Sequence, residues 1–501
     1  MKHILLFGAG KSATVLIDYL KNLSEEKHWQ VTVADNDAAT VQSKVGHHPY
    51  TKAVQLNIEE EAPRKQLIQQ ADIVISMMPP TMHYLIALDC IEFNKHLLTA
   101  SYVDEKIKMQ ASLIKAKGIL FLCEMGLDPG IDHMSALHLI HQIQQQNGII
   151  TSFKSHCGGL ISPESDDNPW HYKISWNPRN VVLAGKAGAI FKENGINKKI
   201  PYEQLFNPNQ LLESHDKELY ASYPNRDSLQ YMQLYGLENA DTFIRTTLRH
   251  PEFCFGWKNI VDLKLTNEEK VYETAGLTIA DFFQLHFQKH GFTEWLNNLL
   301  RSKLNDAKSM VEKIIEMMEA EQQLKEEGEN IDEEIMIVDE HGKLNSLNVE
   351  DVKDKAAESM ALKMHEANLS MKQLFFLGLD DDRTHINKGL CSAADVLQFI
   401  LEKKWALQKD DKDLIVMLHE IEYVLNGQHK KVESELKIKG DDYIRTAMAK
   451  TVGLPLGIAA KLILEGKIKE IGLHIPIIAS IYEPVLNELK KFGIEFKEFY
   501  S

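Results

Sequence analysis

The chain has few cysteines, no excess of positive charge and no very long apolar run. Its five cysteines are scattered, odd in number and never spaced as CxxC, which argues against a disulfide framework and against a zinc site, so no metal is predicted. A formal net charge of -16 argues against nucleic acid or an anionic membrane as a partner. No stretch is expected to span a membrane, and a predicted strand at the N-terminus leaves no room for a signal peptide. We therefore expect a cytoplasmic protein with small-molecule ligands.

The apolar content is nevertheless high enough for sizeable cores. Hydrophobic residues make up 44% of the 501 residues, and this length suits several domains of roughly 100–200 residues each. The sequence does not determine the oligomeric state, and a homodimer stays open.

The N-terminal segment HILLFGAGKSATVLIDYL reads as a strand, a glycine turn and a helix. Its turn, Gly8-x-Gly10-x-x-Ala13, is the dinucleotide-binding fingerprint with alanine at the third position. The letters GKS resemble a P-loop, but Leu5 stands where that motif needs glycine. The next predicted strand, WQVTVAD, ends in Asp35, which would accept hydrogen bonds from the adenosine ribose and repel a 2′-phosphate. NAD is therefore favoured over NADP, the alternative for Asp35 being a solvated loop acid.

Three further apolar runs follow at the spacing of a doubly wound sheet: ADIVISMM at 71–78, HLLTASYVD at 96–104 and GILFLC at 118–123. Each ends in small or polar residues where a cofactor would lie, namely Ser76, Ser101-Tyr102 and Glu124. Alternating strands and helices through residue 130 predict a Rossmann-type α/β domain.

The segment EMGLDPGIDH at 124–133 predicts a strand-to-helix turn, because the residues after it are apolar at helical spacing. Asp128 would then lie at the carboxyl end of a buried strand, where open α/β sheets bind ligands. The alternative is that Asp128 or Asp132 caps the helix.

Residues 155–178 are rich in Gly, Pro, Ser and Asp and predict a long loop, followed by a helix RNVVLAGKAGAIF that is capped by Asn177 and opened by Pro178. Cys157 has no activating partner in the sequence and is expected to be a buried structural thiol. His156 and His171 are expected to be ordinary loop histidines.

Two segments carry arginines that could clamp carboxylates through paired hydrogen bonds. YPNRDS holds Arg226, and IRTTLRHPEF holds Arg245 and Arg249. The alternative for any one of them is a surface salt bridge.

The C-terminal half changes character from about residue 281. Residues 281–405 are helical in period and increasingly acidic, with solvated helices and loops expected across EEGENIDEEIMIVDEHGKLNSLNVEDVKDKAAE. LIVMLHEIEYVL and KVESELKIK predict a β-hairpin around Asn426-Gly427. The apolar segment TAMAKTVGLPLGIAAKLILEG predicts a buried helix pair that packs on the first sheet.

With these motifs, the chain resembles the glutamate-forming saccharopine dehydrogenases, which are called saccharopine reductases in fungi. The resemblance runs from end to end and is weakest across 281–405. It rests on these strings: VISMMPPTMH, TASYVD, GLDPGIDHM, CGGLISPESDDNPWHYKISWNPRNVVL, YPNRDS, TLR at 247–249 and AMAKTVGLP.

The resemblance implies three domains. They are a Rossmann domain over 1–130 completed by C-terminal helices at about 445–501, an α/β substrate domain with a mixed sheet over 131–280 and 411–444, and a helical domain over 281–410 that contains the acidic insertion. It also implies oxidation of the secondary amine of saccharopine and hydrolysis of the imine to L-glutamate and 2-aminoadipate 6-semialdehyde. We expect NAD as cofactor and a role in lysine degradation.

The resemblance further implies the site residues. Asp128 would orient the amine, Tyr102 or water would share proton transfer, and Lys173 is a weaker candidate for a carboxylate. The implied substrate contacts are Ser101, Tyr102, Asp128, Arg226, Thr247, Leu248 and Arg249. The implied cofactor contacts are Gly8, Ala9, Gly10, Lys11, Ser12, Ala13, Asp35, Ser76 and Ser175.

Some positions depart from the family pattern. His156 stands where many relatives carry tyrosine, and His171-Tyr172 replace leucine and a small or polar residue, so substrate preference could have drifted. Two other functions are retained as alternatives: a related imine reductase resembling carboxynorspermidine or homospermidine synthase, and a non-catalytic Rossmann protein that senses NAD(H).

Overall fold

In the computed structural model, residues 1–207, 210–294, 334–338, 344–348, 365–366 and 368–501 are described. They form two compact units, one made of 1–167, 171–255 and 405–501, the other of 168–170 and 256–404. These limits differ from the three predicted domain ranges, and the three-domain division stays a prediction.

The first unit contains a parallel seven-stranded sheet with the strand order β20-β6-β5-β4-β1-β2-β3. This sheet confirms the predicted Rossmann-type α/β class. Every strand that was predicted from the sequence is present, and two further strands, β3 and β20, were not predicted. The strands are β1 His3–Phe7, β2 Gln30–Asp35, β3 Thr51–Gln55, β4 Ile73–Ser76, β5 His96–Thr99, β6 Leu120–Leu122 and β20 Gly472–His474. The associated helices are α1 Thr14–Lys27, α2 Ala38–Val45, α3 Glu61–Gln70, α4 His83–Glu92, α5 Glu105–Lys108, α6 Ala111–Ala116 and α7 Ile131–Gln145.

The same unit contains a mixed ten-stranded sheet whose main path is β10-β11-β13-β7-β18-β19-β21, with β8, β9 and β12 beside it. The strands are β7 Ile149–Ile161, β8 Ala189–Glu193, β9 Ile196–Ile200, β10 Gln210–Glu213, β11 Leu219–Pro224, β12 Arg226–Asp227, β13 Thr242–Arg249, β18 Asp413–Leu425, β19 Gln428–Lys439 and β21 Lys497–Tyr500. The other helices of this unit are α8 Pro178–Val182, α12 Ala447–Leu464 and α13 Ala479–Leu489. Short 3-10 turns occupy Lys11–Ala13, Pro80–Met82, Pro163–Ser165, Tyr202–Gln204, Leu229–Tyr231 and Lys490–Phe492.

The second unit is mainly helical where it is described. Helix α9 enters it from the first unit, and α10 carries a capping box at Thr278 and Asp281. Its elements are α9 Pro251–Asp262, α10 Ile279–His290, α11 Ala393–Lys404, a helical stretch at 368–376, and the strands β14 Tyr272–Glu273, β15 Glu334–Val338, β16 Leu344–Asn348 and β17 Leu390–Cys391. The pairing of β15 with β16 corrects the prediction of helices and loops there. The predictions for 295–333 and 349–364 lie outside the described residues.

Two predictions in the middle of the chain are wrong. Residues 155–161 belong to strand β7, because the run pairs with both β13 and β18 despite its glycines. Asn177 does cap α8, its side chain accepting a hydrogen bond from the Arg179 N–H, but the helix ends at Val182, and β8 and β9 follow as a second hairpin around Asn194-Gly195.

The predicted hairpin around Asn426-Gly427 is confirmed as β18 and β19. The predicted helix pair after it is a single helix, α12, that continues through Pro455. Burial of this helix and its packing against α1 outweigh the hydrogen bond that the proline cannot make. Among the described residues, α12 alone is long and apolar enough by composition to cross a membrane, a property that was not predicted from the sequence. In the structure, 78% of its 18 residues are buried.

Candidate active site

The glycine turn between β1 and α1 has the shape that a dinucleotide phosphate needs. Gly8 has a φ of +100°, and a Cβ there would lie 2.9 Å from the Met77 carbonyl oxygen. A Cβ on Gly10 would meet nothing within 4 Å, which leaves open space beside the start of the helix. The Ala9 N–H donates to Asp35 Oδ2 at 2.6 Å, so the acid at the end of β2 is anchored on this turn. These residues fit a dinucleotide cofactor.

The other implied cofactor residues lie in different settings. Lys11, Ser12 and Ala13 form the 3-10 turn before α1, and Ser76 is buried at the end of β4. The Ser175 hydroxyl is hydrogen-bonded to Asp413, whose carboxylate accepts from the first backbone N–H groups of α12. The sequence did not predict this pairing.

Asp128, on the turn after β6, is held by an arginine from the mixed sheet. Arg245 Nη2 lies 2.5 Å from Asp128 Oδ1 and 2.7 Å from Asp132 Oδ2. The guanidinium stacks on the Tyr231 ring, 4.6 Å from its centroid. Asp132 also accepts from the Gly130 N–H at 2.6 Å, while no side chain caps α7. The capping alternative is therefore wrong for Asp128.

The two carboxylates differ in pKa. Burial raises the pKa of Asp128, which Arg245 partly opposes and Asp132 reinforces. Burial would also raise the pKa of Asp132, but His133, Arg245 and the Gly130 N–H bring it below its usual value. When the surroundings of two neighbouring acids separate their pKa values, one acid can exchange a proton while the other stays ionised. Asp132 is suited to hold the arginine, and Asp128 to exchange a proton.

A second polar network supports this turn. Glu124 accepts from the Val103 N–H at 3.2 Å through Oε1, and from Tyr231 and His133 at 3.1 Å and 2.9 Å through Oε2. His133 Nδ1 lies 2.5 Å from the Tyr235 hydroxyl. Because Glu124 is hydrogen-bonded both to the loop after Tyr102 and to the first turn of α7, it connects two segments that line the site.

Tyr102 and Arg226 stack on each other at the open side of the site. The Arg226 guanidinium lies 4.9 Å from the Tyr102 ring centroid, and it forms no ion pair with any described residue. Burial and the Asp128 charge raise the pKa of Tyr102, while Arg245 and Arg226 lower it less, so the phenol stays protonated at neutral pH. The Ser101 hydroxyl lies 2.8 Å from His83 Nε2.

Arg249 ends β13 as a buried cation. Its Nη1 donates to the Leu248 carbonyl at 2.7 Å and the Gly159 carbonyl at 3.3 Å, and its guanidinium stacks on Tyr172 and Phe253. Its Nε has no hydrogen-bond partner, and no carboxylate pairs with it in the described part of the chain. A buried charge in this state is costly unless a ligand supplies the missing anion.

The remaining predicted residues of β13 lie on opposite faces. The side chains of Arg245, Thr247 and Arg249 are two positions apart and therefore lie on the same face of the strand. The Leu248 side chain lies on the other face, in a hydrophobic cluster with Leu160, Tyr220 and Val416. Any ligand contact at Leu248 therefore falls to its backbone.

Family models match almost the whole chain. One described as saccharopine dehydrogenase NADP binding domain matches residues 4–122, and one described as saccharopine dehydrogenase C-terminal domain matches residues 126–494. The chain belongs to the saccharopine dehydrogenase family. This confirms the predicted resemblance, and the protein is an oxidoreductase of this family.

Relatives within the saccharopine dehydrogenase family have two sizes. The chain is 28% identical to the saccharopine dehydrogenase [NADP(+), L-glutamate-forming] of Schizosaccharomyces pombe, covering 99% of both proteins. It is 30% identical to the alpha-aminoadipic semialdehyde synthase of Arabidopsis thaliana, with 99% of this chain but 44% of that protein covered. The chain thus spans less than half of the plant relative and nearly all of the fungal one.

Solved structures agree with the saccharopine dehydrogenase assignment. The apo saccharopine dehydrogenase (L-Glu forming) of Saccharomyces cerevisiae superposes with a TM-score of 0.76 at 27% identity, covering all of both chains. The homospermidine synthase of Legionella pneumophila, in complex with NAD, gives a TM-score of 0.51 at 9% identity, covering 100% of this chain and 91% of the other. The second likeness shows the fold alone.

Part of this candidate site was not predicted from the sequence. Arg245 was noted as a cation but was not assigned to Asp128, and Asp132 was weighed only as a cap. Glu124 was noted only as a strand-end residue near the expected cofactor, and His133 was not assigned a function. Arg245 lies four residues before Arg249, which places both side chains on one face if IRTTLR is a strand. Predicting that strand would have brought Arg245 to the candidate site.

Cys157, His156 and His171, for which no catalytic role was expected, lie in three different settings in this saccharopine dehydrogenase fold. Cys157 is buried, and burial raises the pKa of its thiol well above the usual value. His156 lies in strand β7, rather than in the predicted loop, with Nδ1 2.7 Å from the Thr246 hydroxyl and Nε2 3.2 Å from Glu420. His171 does lie in a loop, 2.5 Å from Asp166.

Proposed function

We propose that this protein oxidises the secondary amine of saccharopine with NAD and hydrolyses the imine to L-glutamate and 2-aminoadipate 6-semialdehyde. The observation that carries the proposal is the arrangement of charges around Asp128. One carboxylate with a raised pKa lies on the same unit as two arginines, Arg226 and Arg249, that have no acidic partner among the described residues. An amine flanked by several carboxylates has the complementary pattern.

Asp128 would receive the proton of the substrate ammonium. A hydride leaves the carbon only when the neighbouring nitrogen carries a lone pair, so that nitrogen must first lose a proton. Burial raises the pKa of Asp128 above its ordinary value, which makes the carboxylate a better base near neutral pH. A bound dinucleotide would supply the nicotinamide that accepts the hydride.

Tyr102 would orient the reacting nitrogen and the attacking water. Because the pKa of its phenol is raised, Tyr102 donates a hydrogen bond rather than acting as a base at neutral pH. From the sequence, Asp128 was expected chiefly to orient the amine, with Tyr102 or water sharing proton transfer. We now propose that Asp128 and water carry the proton transfer.

Arg226 and Arg249 would hold substrate carboxylates. Arg249 has an unpartnered Nε, and the faces of its guanidinium contact two aromatic rings, an arrangement that leaves an in-plane N–H edge for hydrogen bonds to a carboxylate. Lys173 does not support the same role, because its ammonium lies 2.8 Å from both Asp167 and Asp411.

NAD is our proposal for the cofactor, although the fungal relatives are named as NADP(+) enzymes. Asp35 accepts hydrogen bonds from the backbone N–H groups of Ala9 and Asp37 at 2.6 Å and 3.0 Å. These bonds hold the carboxylate beside the turn, where it would repel a 2′-phosphate. One cation opposes this preference: Lys44 Nζ donates to the Gly10 carbonyl at 2.7 Å.

Substituting Asp35 tests the cofactor proposal. Wild type should use NAD better than NADP, and Asp35→Ser should raise kcat/KM for NADP relative to NAD by about tenfold or more, since a like-charge contact costs several kcal/mol. Lys44→Ala in the Asp35→Ser background should reverse part of that gain. A wild type that prefers NADP would contradict the proposal.

Saccharopine-dependent NADH formation tests the reaction. Wild type should form NADH only with saccharopine, and Arg226→Ala should lose at least tenfold in kcat/KM because a charge-assisted hydrogen bond contributes about 1.5–3 kcal/mol. Arg383→Ala is the matched control, because that side chain is 95% exposed. No activity in wild type, or full activity in Arg226→Ala, would reject the assignment in favour of another imine reductase or an NAD(H) sensor.

The setting of the reaction is part of the same proposal. NAD usually serves oxidation, so we propose the degradative direction of lysine metabolism, which agrees with the name of the plant relative. The five cysteines are free and buried, which supports a reducing compartment such as the cytoplasm. We further propose that the protein forms a homodimer and binds a small-molecule substrate. We propose neither nucleic acid nor a membrane as a partner.

A further inference from the structure

His83 is a buried histidine that connects two serines at the carboxyl ends of neighbouring strands. It begins α4 and is 2% exposed. Its Nδ1 lies 2.8 Å from the Ser76 hydroxyl, and its Nε2 lies 2.8 Å from the Ser101 hydroxyl. Ser76 ends β4, and Ser101 lies two residues after β5, which pairs with β4 in parallel. The imidazole thus bridges the edge of the sheet at which both ligands are expected.

A neutral imidazole gives its two partners opposite roles. Burial lowers the pKa of His83 to about 4, with Asp104 opposing the shift, so the ring carries one proton at neutral pH. Whichever nitrogen carries that proton donates to its serine, and the other nitrogen accepts from the second serine. The first serine then keeps its own hydroxyl proton for a ligand, and the second presents only lone pairs outward.

His286 shows why this bridge differs from an ordinary buried histidine. Burial also lowers the pKa of His286 to about 4, but its Nε2 lies 2.7 Å from the Leu263 carbonyl, which can only accept. The proton of His286 is therefore fixed on Nε2, and Tyr272 must donate to Nδ1 at 2.7 Å. Both partners of His83 are hydroxyls that can donate or accept, so its ring proton is free to occupy either nitrogen.

We propose that His83 is a positioning residue that couples the hydrogen bonding of Ser76 to that of Ser101 through its single ring proton. A ligand that accepts a hydrogen bond from Ser101 puts the ring proton on Nε2, and Ser76 then donates inward to Nδ1 and offers only its lone pairs outward. A ligand that accepts from Ser76 has the reverse effect. The inference rests on the proposed function, which gives Ser76 to the cofactor and Ser101 to the substrate.

Nitrogen-15 NMR of protein labelled at histidine measures the coupling directly, since the two ring nitrogens shift in opposite directions between the tautomers. The His83 signals are assigned by their loss in His83→Gln. NAD or saccharopine should change the ratio of His83 tautomers, while the signals of His286 stay on one tautomer throughout. An unchanged His83 tautomer ratio with both ligands bound would overturn the proposal.

Binding measurements provide the second readout. L-glutamate at saturation should change the Kd of NAD for wild type by about fivefold, the scale of one neutral hydrogen bond. His83→Gln, once circular dichroism shows that it is folded, should bring this factor close to one, and His286→Gln should leave it unchanged. A factor that survives in His83→Gln overturns the coupling alone. Absence of saturable NAD and saccharopine binding in wild type overturns the proposed function and this inference together.

Discussion

At the scale of single residues, the site is defined by which arginine meets which carboxylate. Arg245 pairs with Asp128 and Asp132, whereas Arg249 pairs with neither and keeps an unpartnered Nε. In the proposed function, the first arginine would tune a proton-exchanging group, and the second would bind an anionic ligand. These two roles predict different consequences of substitution.

The pH dependence should respond in opposite directions to the two neighbours of Asp128. If Asp128 accepts a proton, kcat/KM falls as pH falls through its pKa, which burial raises. Arg245→Gln removes a charge that lowers this pKa, so the acidic limb of the pH profile should move to higher pH. Asp132→Asn removes a charge that raises it, so the limb should move to lower pH.

Steady-state kinetics across pH would measure both shifts. Asp128→Asn should lose the acidic limb and about 10²- to 10⁴-fold in kcat/KM, the usual contribution of an acid–base group. Limbs that move in the same direction in Arg245→Gln and Asp132→Asn would contradict the role of Asp128.

Arg249 should contribute to saccharopine binding but add little to the stability of the fold. Replacing a buried, unpaired charge by an apolar side chain of similar length removes a desolvation penalty, so Arg249→Met should leave the thermal midpoint unchanged or higher. The same variant should raise KM for saccharopine by at least tenfold. Scanning calorimetry and steady-state kinetics would test this. A variant with a lower thermal midpoint and an unchanged KM would show that the arginine is structural.

At the scale of secondary-structure elements, three strands of the mixed sheet are joined by one partly buried acid. Glu420 on β18 lies 3.2 Å from His156 on β7 and 2.9 Å from Lys431 on β19. The hydrogen bond from His156 and the contact with Lys431 lower the pKa of Glu420 to about 2, against the effect of burial. The charge of one side chain therefore links three neighbouring strands of this sheet.

The stability that Glu420 contributes should depend on pH with a defined sign. Because its pKa in the folded protein is lower than the ordinary value of about 4.3, its stabilisation is complete above that value and is lost as pH falls toward about 2. Glu420→Gln should lower the free energy of unfolding at pH 7 by about 1–3 kcal/mol. The difference from wild type should shrink at pH 3, and chemical denaturation at both pH values would measure it.

An exposed acid is the matched control for Glu420. Glu61→Gln on α3 removes a carboxylate whose side chain is 68% exposed and that pairs, among the described residues, with Lys65 alone. It should change stability by less than about 1 kcal/mol at either pH. A constant deficit for Glu420→Gln from pH 7 to pH 3 would mean that packing, and not charge, carries the effect.

At the scale of the whole molecule, the dinucleotide-binding half is built from both ends of the chain. Helix α12 packs against α1, which follows the glycine turn, and β20 extends the parallel sheet beside β6. Glycines make the helix contact close: a Cβ on Gly453 would lie 2.9 Å from Leu16 Cβ and 3.1 Å from the Leu16 backbone nitrogen. The position of α1 therefore depends on residues more than four hundred positions later.

Enlarging Gly453 should disturb stability and cofactor binding together. Gly453→Leu overpacks a backbone contact, so we expect a loss of about 1–3 kcal/mol of unfolding free energy and weaker NAD binding, since α1 must move. Val452→Leu, at a half-buried position one residue earlier, is the control and should change neither. NAD affinity that stays at the wild-type value in a folded Gly453→Leu protein would refute this link.

The sequence by itself determined the features that depend on neighbours in the chain. The turn at Gly8 and Gly10, the apolar runs of the parallel strands and the hairpin at Asn426-Gly427 all follow from local backbone preferences and short-range periodicity. The family strings extended this to the identity of the fold and to Asp128, Arg226 and Arg249 as candidate ligand contacts.

The tertiary structure alone decided the features that depend on distant partners. Asp128 and Arg245 are 117 positions apart, so nothing in their local sequence indicated which arginine would meet which acid. The same holds for the strand conformation of His156 and for the unbroken helix through Pro455. In each case contacts between remote segments outweigh local propensity, because burial and ion pairing contribute more free energy than the preference of any one residue.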